Sequence, residues 1–324
     1  MTFADDPISS RINTANQMIE NGKFSEAVEN LEKLQGVDPD YPGFLASYRT
    51  ARFWLNRNDE ISSMPEGKET AEFLMTEWKN YEEYAEDKNI LNSSSYRAAM
   101  MNIYYAASRH YSIALTEQEN TAPDNFDLLL KLGVCFIKLE NYKKAVETLG
   151  YALNSYNAHT HAGLLSMLAE AFYNQGEIPK SLWYFKEAFF WDPALIDLDL
   201  ITAEPIQRLV DFVREDSKSR YDIREWVPVY GFITDILYVR KDISELQVEF
   251  IKEQIRNLER SYQKMNREQI ESSNVLPRLL TRYLWILEYF EFQKYSFENI
   301  GQIRDHLLKI DKPLFEEYFR KERR

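Results

Sequence analysis

The chain has 324 residues, 44% of them hydrophobic, which is enough for a sizeable core in one extended array or in two or three domains. Its formal net charge of −13 disfavours binding to nucleic-acid phosphates and to anionic lipid headgroups, and its only compact basic cluster is at residues 321–324. Its ten glycines are too few for a typical β-rich or glycine-looped fold. We therefore expect a helical protein without a nucleic-acid partner.

Three features predict a cytoplasmic protein without a membrane span. The opening residues, MTFADDPISS, lack the basic start and apolar run of a signal peptide. The longest apolar stretch, 226–239, contains Asp235 and falls well short of the roughly 20 residues that a spanning helix needs. A single cysteine, Cys135, excludes an intramolecular disulfide and fits a reducing compartment, where we expect it to be a core side chain.

Residues 8–41 are predicted to form a degenerate helix-turn-helix unit. Gly22 and Phe24 mark the turn, and Asp38-Pro39 closes the unit. The apolar positions of its second helix are Ala27, Leu31 and Leu34. Its first helix has few large apolar residues, which is typical of the terminal unit of a repeat array.

Residues 43–118 are predicted to be helical but off the repeat pattern. We expect helices at about 43–58, 69–89 and 94–117, with a loop at 61–67. The last two helices could alternatively form a non-standard pair that continues the array. The charged run at 82–88 is interpreted as a solvated helix face, because paired catalytic carboxylates need a desolvated pocket and nothing apolar surrounds these.

The clearest pattern occurs twice, 36 residues apart, between Phe126 and Leu195. The first copy has apolar or small residues at Leu129, Leu132, Gly133, Phe136, Tyr142, Ala145, Leu149 and Ala152. The second has Leu165, Leu168, Ala169, Phe172, Ile178, Ser181, Phe185 and Ala188, and it closes on Asp192-Pro193. Each copy predicts two helices that approach closely at the small residues, joined by a turn at Glu140-Asn141 or Gly176-Glu177.

This pattern resembles the tetratricopeptide (TPR) repeat. Leu129 and Leu165 stand where that family has Trp, and the period is two residues longer than the usual 34. The resemblance implies an all-α fold, a TPR-type α-solenoid over residues 1–200 with clear repeats at about 8–41, 126–159 and 162–195. A C-terminal helical domain would cover residues 201–324.

In that C-terminal part, Pro205 and Pro228 are each predicted to open a short helix. Asp242 and Glu245 resemble a capping box before a long helix that ends near Met265. Residues 279–292 are apolar on every side and predict a buried helix. Two last helices are expected at about 297–309 and 312–322, the second starting after Asp311 as its cap.

No catalytic, cofactor or metal motif is present in the sequence. A glycine-rich phosphate loop, G-x-S-x-G, H-E-x-x-H and C-x-x-C are all missing. The sequence spacing of His159 and His161 comes nearest to that of a metal-binding motif, but we expect them in a loop without a third ligand. We therefore expect neither enzyme activity, nor a cofactor, nor a metal.

The TPR resemblance implies that partners bind along the first helix of each repeat. The candidate groove residues are Leu130, Val134, Ile137, Lys138, Ser166, Glu170, Tyr173 and Asn174, with Ile12, Asn16 and Ile19 in the first unit. The family's carboxylate clamp is matched only at Asn16, which argues against binding of chaperone tails. The apolar row Leu130, Val134 and Ile137 needs a cover, either a partner helix or the chain's own C-terminal domain.

These observations predict a non-enzymatic scaffold or adaptor that binds a protein or peptide partner. A structural subunit of a large bacterial assembly, such as a flagellar motor accessory part, is one specific version. The alternative is an enzyme or ligand sensor with its site in the C-terminal half. Its pocket would be lined by Tyr230, Phe232, Tyr283, Tyr289 and Phe292, unless these simply pack in the core.

Overall fold

A computed structural model describes residues 7–34, 41–117, 124–216, 222–237, 239 and 242–321. These residues contain sixteen α-helices and no strand, which confirms the all-α class. The chain divides into two compact units, Met1–Asn157 (unit 1) and Ala158–Arg324 (unit 2). No helix in the described ranges is long and apolar enough to cross a membrane.

The described residues of unit 1 form seven helices. They are α1 (Pro7–Glu20), α2 (Phe24–Glu32), α3 (Phe44–Ser63), α4 (Lys68–Asp87), α5 (Ser94–Glu117), α6 (Asp124–Lys138) and α7 (Tyr142–Ser155). Each helix of unit 1 packs against the next one along the chain. The predicted loop at 61–67 is shorter than expected, because α3 continues to Ser63. The predicted closure of the first unit at Asp38-Pro39 lies outside the described residues.

Aromatic side chains fill the core of unit 1. Trp54 and Trp78 stack with ring centroids 6.3 Å apart, and Tyr81 contacts both at 5.4 Å. The Tyr81 hydroxyl lies 2.7 Å from Thr50 Oγ1, so its polar end is satisfied within the core. Cys135 is fully buried, and burial raises the pKa of its thiol to about 12, as expected for an unreactive core residue.

Within the described part of unit 2 there are nine α-helices, two short 3-10 helices and a π-helical segment. The helices are α8 (Ala162–Asn174), α9 (Ile178–Trp191), α10 (Glu204–Glu215), α11 (Ile223–Ile233), α12 (Glu245–Lys264), α13 (Arg267–Glu271), α14 (Val275–Glu288), α15 (Phe297–Ile310) and α16 (Lys312–Lys321). The π-helix, Tyr289–Gln293, continues α14 directly. Residues 279–290 are all buried, so the buried helix expected at 279–292 is confirmed except at Glu291, which is partly buried, and Phe292, which is exposed.

The turns inside the predicted repeats lie where the sequence placed them. Gly22 and Gly176 have φ values of +74° and +82°, which glycine adopts without a steric cost. Glu140 occupies the equivalent turn with φ +56°. The repeat copies at 126–159 and 162–195 correspond to the packed pairs α6–α7 and α8–α9. The predicted domain division at residue 200 stays a prediction.

Two predictions about helix starts in unit 2 are wrong. Pro228 lies inside α11 rather than at its start, and residues 225–233 around it are all buried. Burial of the whole helix outweighs the hydrogen bond that proline removes. The cap of α12 is Ser244, whose Oγ accepts from Gln247 N at 3.3 Å while Gln247 Oε1 accepts from Ser244 N. Asp311 does cap α16, accepting from Leu314 N at 3.2 Å.

Candidate functional site

The predicted groove residues of unit 1 lie on α6. Leu130, Val134 and Lys138 are partly buried, and Ile137 is buried. Val134 packs against the core of unit 1 itself. At least this member of the apolar row is therefore covered by its own unit, in addition to the two covers expected from the sequence, a partner helix or the C-terminal domain.

The predicted groove residues of unit 2 lie on α8, and three of them form hydrogen bonds within unit 2. Glu170 is 1% exposed and accepts hydrogen bonds from Ala203 N at 3.1 Å and Thr202 Oγ1 at 2.5 Å. Asn174 Nδ2 donates to the same carboxylate at 2.7 Å, and Ser166 Oγ donates to Gly163 O at 2.9 Å. Glu170 therefore holds the chain segment that leads into α10, while Tyr173 is half-buried and Asn174 exposed. A partner-binding role for this set stays a prediction.

A second candidate site is a cavity of about 670 Å³ in unit 2, which we call the unit 2 cavity. Residues of α11, α14, the π-helix, α15 and α16 line it. The apolar lining residues are Phe232, Leu284, Leu287, Ile300 and Tyr318. Apolar walls with a few polar groups are typical of binding sites for ligands and peptide side chains.

Three further lining residues form an exposed aromatic rim. Phe292, Tyr295 and Phe297 are 48%, 72% and 80% exposed, although each carries a large apolar ring. A cluster of exposed rings beside a cavity is more informative than a single exposed apolar residue. We refer to these three residues as the rim aromatics.

Local structure explains why the rim aromatics are presented together. The π-helix ends where Lys294 N donates to Tyr289 O at 2.9 Å, and Ser296 then caps α15, with its Oγ 3.5 Å from Asn299 N. Phe292 thus lies near the end of the π-helix, Tyr295 in the short link and Phe297 at the first position of α15. Gln293 fixes this link, because its side-chain amide exchanges two 2.8 Å hydrogen bonds with the backbone of Ile243.

Four charged groups line the unit 2 cavity: Asp235, Glu288, Glu291 and Arg304. Arg304 lies 2.7 Å from Glu291, and Lys186 lies 2.7 Å from Glu288. Burial raises the pKa of Glu291, while Arg304 opposes that shift. Asp235 is exposed, has φ +59° and has no ion-pair partner among the described residues. The described lining therefore keeps a net negative charge.

The pocket that the sequence analysis considered in the C-terminal half is only partly formed by the residues named for it. Phe232 and Phe292 line the unit 2 cavity, whereas Tyr230, Tyr283 and Tyr289 do not. Tyr230 donates to Asp216, and Tyr283 donates to Glu259 at 2.5 Å. Tyr295 and Phe297 were missed, although they follow Phe292 within five residues of the sequence.

The described residues contain no group of three or more His, Cys, Asp or Glu side chains placed to hold a metal ion. His161 is the N-cap of α8, where its Nδ1 accepts from Leu164 N at 3.1 Å. Its ring therefore has a structural partner at a helix start. No family model, no curated protein and no solved structure matches the chain.

Proposed function

We propose that the protein is a non-enzymatic interaction scaffold that binds a segment of a partner protein through the unit 2 cavity and its rim aromatics. The observation that carries this proposal is the exposure of Phe292, Tyr295 and Phe297 at the mouth of an apolar cavity. Aromatic side chains are enriched among the residues that contribute most to protein interfaces. Covering them would remove a large apolar area from water.

The chemistry of the cavity favours one kind of occupant. Phe232, Leu284 and Leu287 would accept an aliphatic or aromatic anchor side chain. Asp235 would pair with a Lys or Arg of the same segment, since its carboxylate has no counter-charge among the described residues. The partner segment is therefore one that carries an apolar anchor close to a basic residue.

A TPR-type arrangement of the helix pairs is part of the same proposal. The pairs α6–α7 and α8–α9, with tight turns and small residues at the contacts, support a TPR-type arrangement. In this proposal the scaffold is cytoplasmic and has no nucleic-acid partner. Permanent incorporation into a large bacterial assembly, such as a flagellar motor accessory part, remains one version of it.

Site-specific photo-crosslinking in cells that express the protein tests the proposal. A benzophenone amino acid would replace Phe297 in one variant and Tyr105 in the other. Tyr105 is the matched control, because it is an aromatic residue of α5 that is 66% exposed and does not line the unit 2 cavity. We expect a discrete protein adduct at position 297 that is missing at position 105, and a cross-linked segment with an apolar anchor beside Lys or Arg. Identical adduct patterns at both positions would contradict the proposal.

A further inference from the structure

Helix α12 has a solvent-exposed face on which the two signs of charge are separated along the helix axis. Its first half presents acidic residues on this face, and its second half presents basic ones. All six side chains are exposed: Glu245, Glu249, Glu253, Arg256, Arg260 and Lys264. At 3.6 residues per turn they lie within an arc of roughly 100° around the helix. We call this arc the α12 charged face.

The opposite side of α12 is occupied by the core of unit 2. Val248, Ile251 and Ile255 are buried there, and α12 packs against α14. Beside the α12 charged face, Leu246 is 84% exposed. The charged face and this leucine are therefore open to a second molecule.

The charge separation is unfavourable within the helix itself. Glu249 and Glu253 are four residues apart, and the same spacing separates Arg256 from Arg260. Like charges at this spacing destabilise a helix. The helix dipole favours acidic residues in the first turn and basic residues in the last, but its effect is confined to those turns. It does not account for Glu253 and Arg256 in the middle of the helix.

Contacts within the chain leave most of these charges unpaired. Arg256, Arg260 and Lys264 have no ion-pair partner among the described residues. On the acidic half, Glu249 lies 2.8 Å from Lys252, and Glu245 lies 3.4 Å from Lys294. Exposed pairs of this kind contribute little to stability. The basic half of the face thus remains free to meet carboxylates of another molecule.

The charges are symmetric about the middle of the helix. The midpoint of α12 lies between Gln254 and Ile255. Each acidic residue has a basic counterpart at the same distance beyond this midpoint: Glu253 has Arg256, Glu249 has Arg260 and Glu245 has Lys264. Two antiparallel copies of α12, related by a two-fold axis at the midpoint, would bring every one of these carboxylates opposite a cation.

We propose that the protein forms a weak symmetric dimer through the α12 charged face, with the two copies of α12 antiparallel. The two-fold axis makes each of the three ion pairs occur twice. The complementary charges determine the register of the two helices. Leu246 of each copy packs against the side-chain methylenes of Lys264 in the other, which removes apolar surface from water. Because the ion pairs are exposed, salt weakens the dimer.

Sedimentation equilibrium of the full chain in about 100 mM NaCl tests this proposal. The Debye length of roughly 10 Å then screens the repulsion between two copies of net charge −13, but not the contacts between facing side chains. We expect a monomer–dimer equilibrium whose Kd rises by at least about tenfold in about 500 mM NaCl. A monomer at every concentration up to the millimolar range would overturn the proposal, as would a dimer that salt does not weaken.

Two double variants locate the interface. Arg256→Glu with Arg260→Glu makes the α12 charged face acidic, and Glu249→Arg with Glu253→Arg makes it basic. Each protein alone should stay monomeric, because like charges would meet across the two-fold axis. An equimolar mixture of the two should form a heterodimer, since each acidic position of one then faces a basic position of the other. Self-association of either variant would contradict the proposal, and so would a mixture that stays monomeric.

A third double variant separates the local effect from that of total charge. Arg208→Glu with Arg214→Glu makes the same change in net charge as the acidic variant, at two exposed positions of α10. It should dimerise as the parent protein does, and its failure to dimerise would overturn the assignment to α12. Melting temperatures check the folding of all three variants. If the acidic variant failed to fold, self-association of Glu249→Arg with Glu253→Arg would still overturn the proposal.

Discussion

Lys186 Nζ lies 2.7 Å from each carboxylate oxygen of Glu288, and both side chains are less than one tenth exposed. The same ammonium donates to Val239 O at 2.7 Å and lies 4.8 Å from the centre of the Trp285 ring. This pair connects α9 to the last residue of α14, immediately before the π-helix that leads to the rim aromatics. Glu288, one of the residues that line the unit 2 cavity, is therefore held by a buried ion pair.

Loss of one partner of this pair should destabilise the fold strongly. Lys186→Met leaves the Glu288 carboxylate buried without its counter-charge, which typically costs about 3–5 kcal/mol. The double variant Lys186→Met with Glu288→Leu should recover most of that loss, because no buried charge remains. Urea denaturation of the three proteins measures both effects.

An exposed pair provides the control for this prediction. Lys252 lies 2.8 Å from Glu249 on the surface of α12, and Lys252→Met should change stability by less than about 1 kcal/mol. Equal effects of Lys186→Met and Lys252→Met would show that the buried pair has no special role.

Glu170 is expected to act as an anchor inside unit 2. Glu170→Ala removes the acceptor for Ala203 N and Thr202 Oγ1, and an unsatisfied buried donor costs roughly 1–3 kcal/mol. Amide hydrogen exchange at Ala203 should become faster in the variant, because the link before α10 loses its hydrogen bond. The exposed neighbour Asn174→Ala should leave that exchange rate nearly unchanged. An unchanged exchange rate in Glu170→Ala would contradict this anchoring role and leave Glu170 as a candidate groove residue.

The close contact at Gly133 makes a matched pair of glycine substitutions possible. A Cβ atom at Gly133 would overlap Leu149 Cδ2, so Gly133→Ala should overpack the α6–α7 contact and cost about 1–3 kcal/mol. Gly150, in α7, has nothing within 4 Å of the equivalent position, and Gly150→Ala should stabilise by up to about 1 kcal/mol. Thermal denaturation should therefore give shifts of opposite sign. Shifts of the same sign would contradict the packing of these two helices.

Glu291 should contribute a pH dependence to the stability of unit 2. Burial raises the pKa of its carboxyl above the ordinary value of 4.5, more than Arg304 lowers it. The native state therefore holds the proton more tightly than the unfolded state does. The resulting stability is present below the unfolded pKa and is lost as the pH rises through the folded pKa. Glu291→Gln should reduce this loss of stability with rising pH, measured by urea denaturation from about pH 4 to pH 7. Parallel pH profiles of the two proteins would contradict the assignment.

Helix positions could be predicted from the sequence where periodicity and turn residues agreed. The turns at Gly22 and Gly176 and the helix at 94–117 were found in this way, because the signal there is local. The start of α11 was misplaced, since Pro228 signals a helix start locally while burial of the surrounding residues decides the outcome. The cap of α12 was misplaced by two residues, because Asp242 and Ser244 are both good caps.

Only Phe232 and Phe292 of the unit 2 cavity could be predicted, because the rest of its lining depends on which helices meet. The sequence shows an apolar run that ends near Phe292, but only the packed structure shows that α11, α14 and α15 leave a space beside it. The burial of Glu170 was also missed for this reason. Its partners, Thr202 and Ala203, lie about thirty residues further along the chain, beyond the range of helical periodicity.

The most direct measurement of the central claim is the affinity of the segment that cross-links at position 297, synthesised as a labelled peptide and followed by fluorescence anisotropy. Phe297→Ser and Asp235→Lys should each weaken its binding by about tenfold or more, because they remove a rim ring and reverse the charge that faces the basic residue. Tyr105→Ser should bind the peptide as the parent protein does. Equal affinities in all four proteins would contradict binding at the unit 2 cavity.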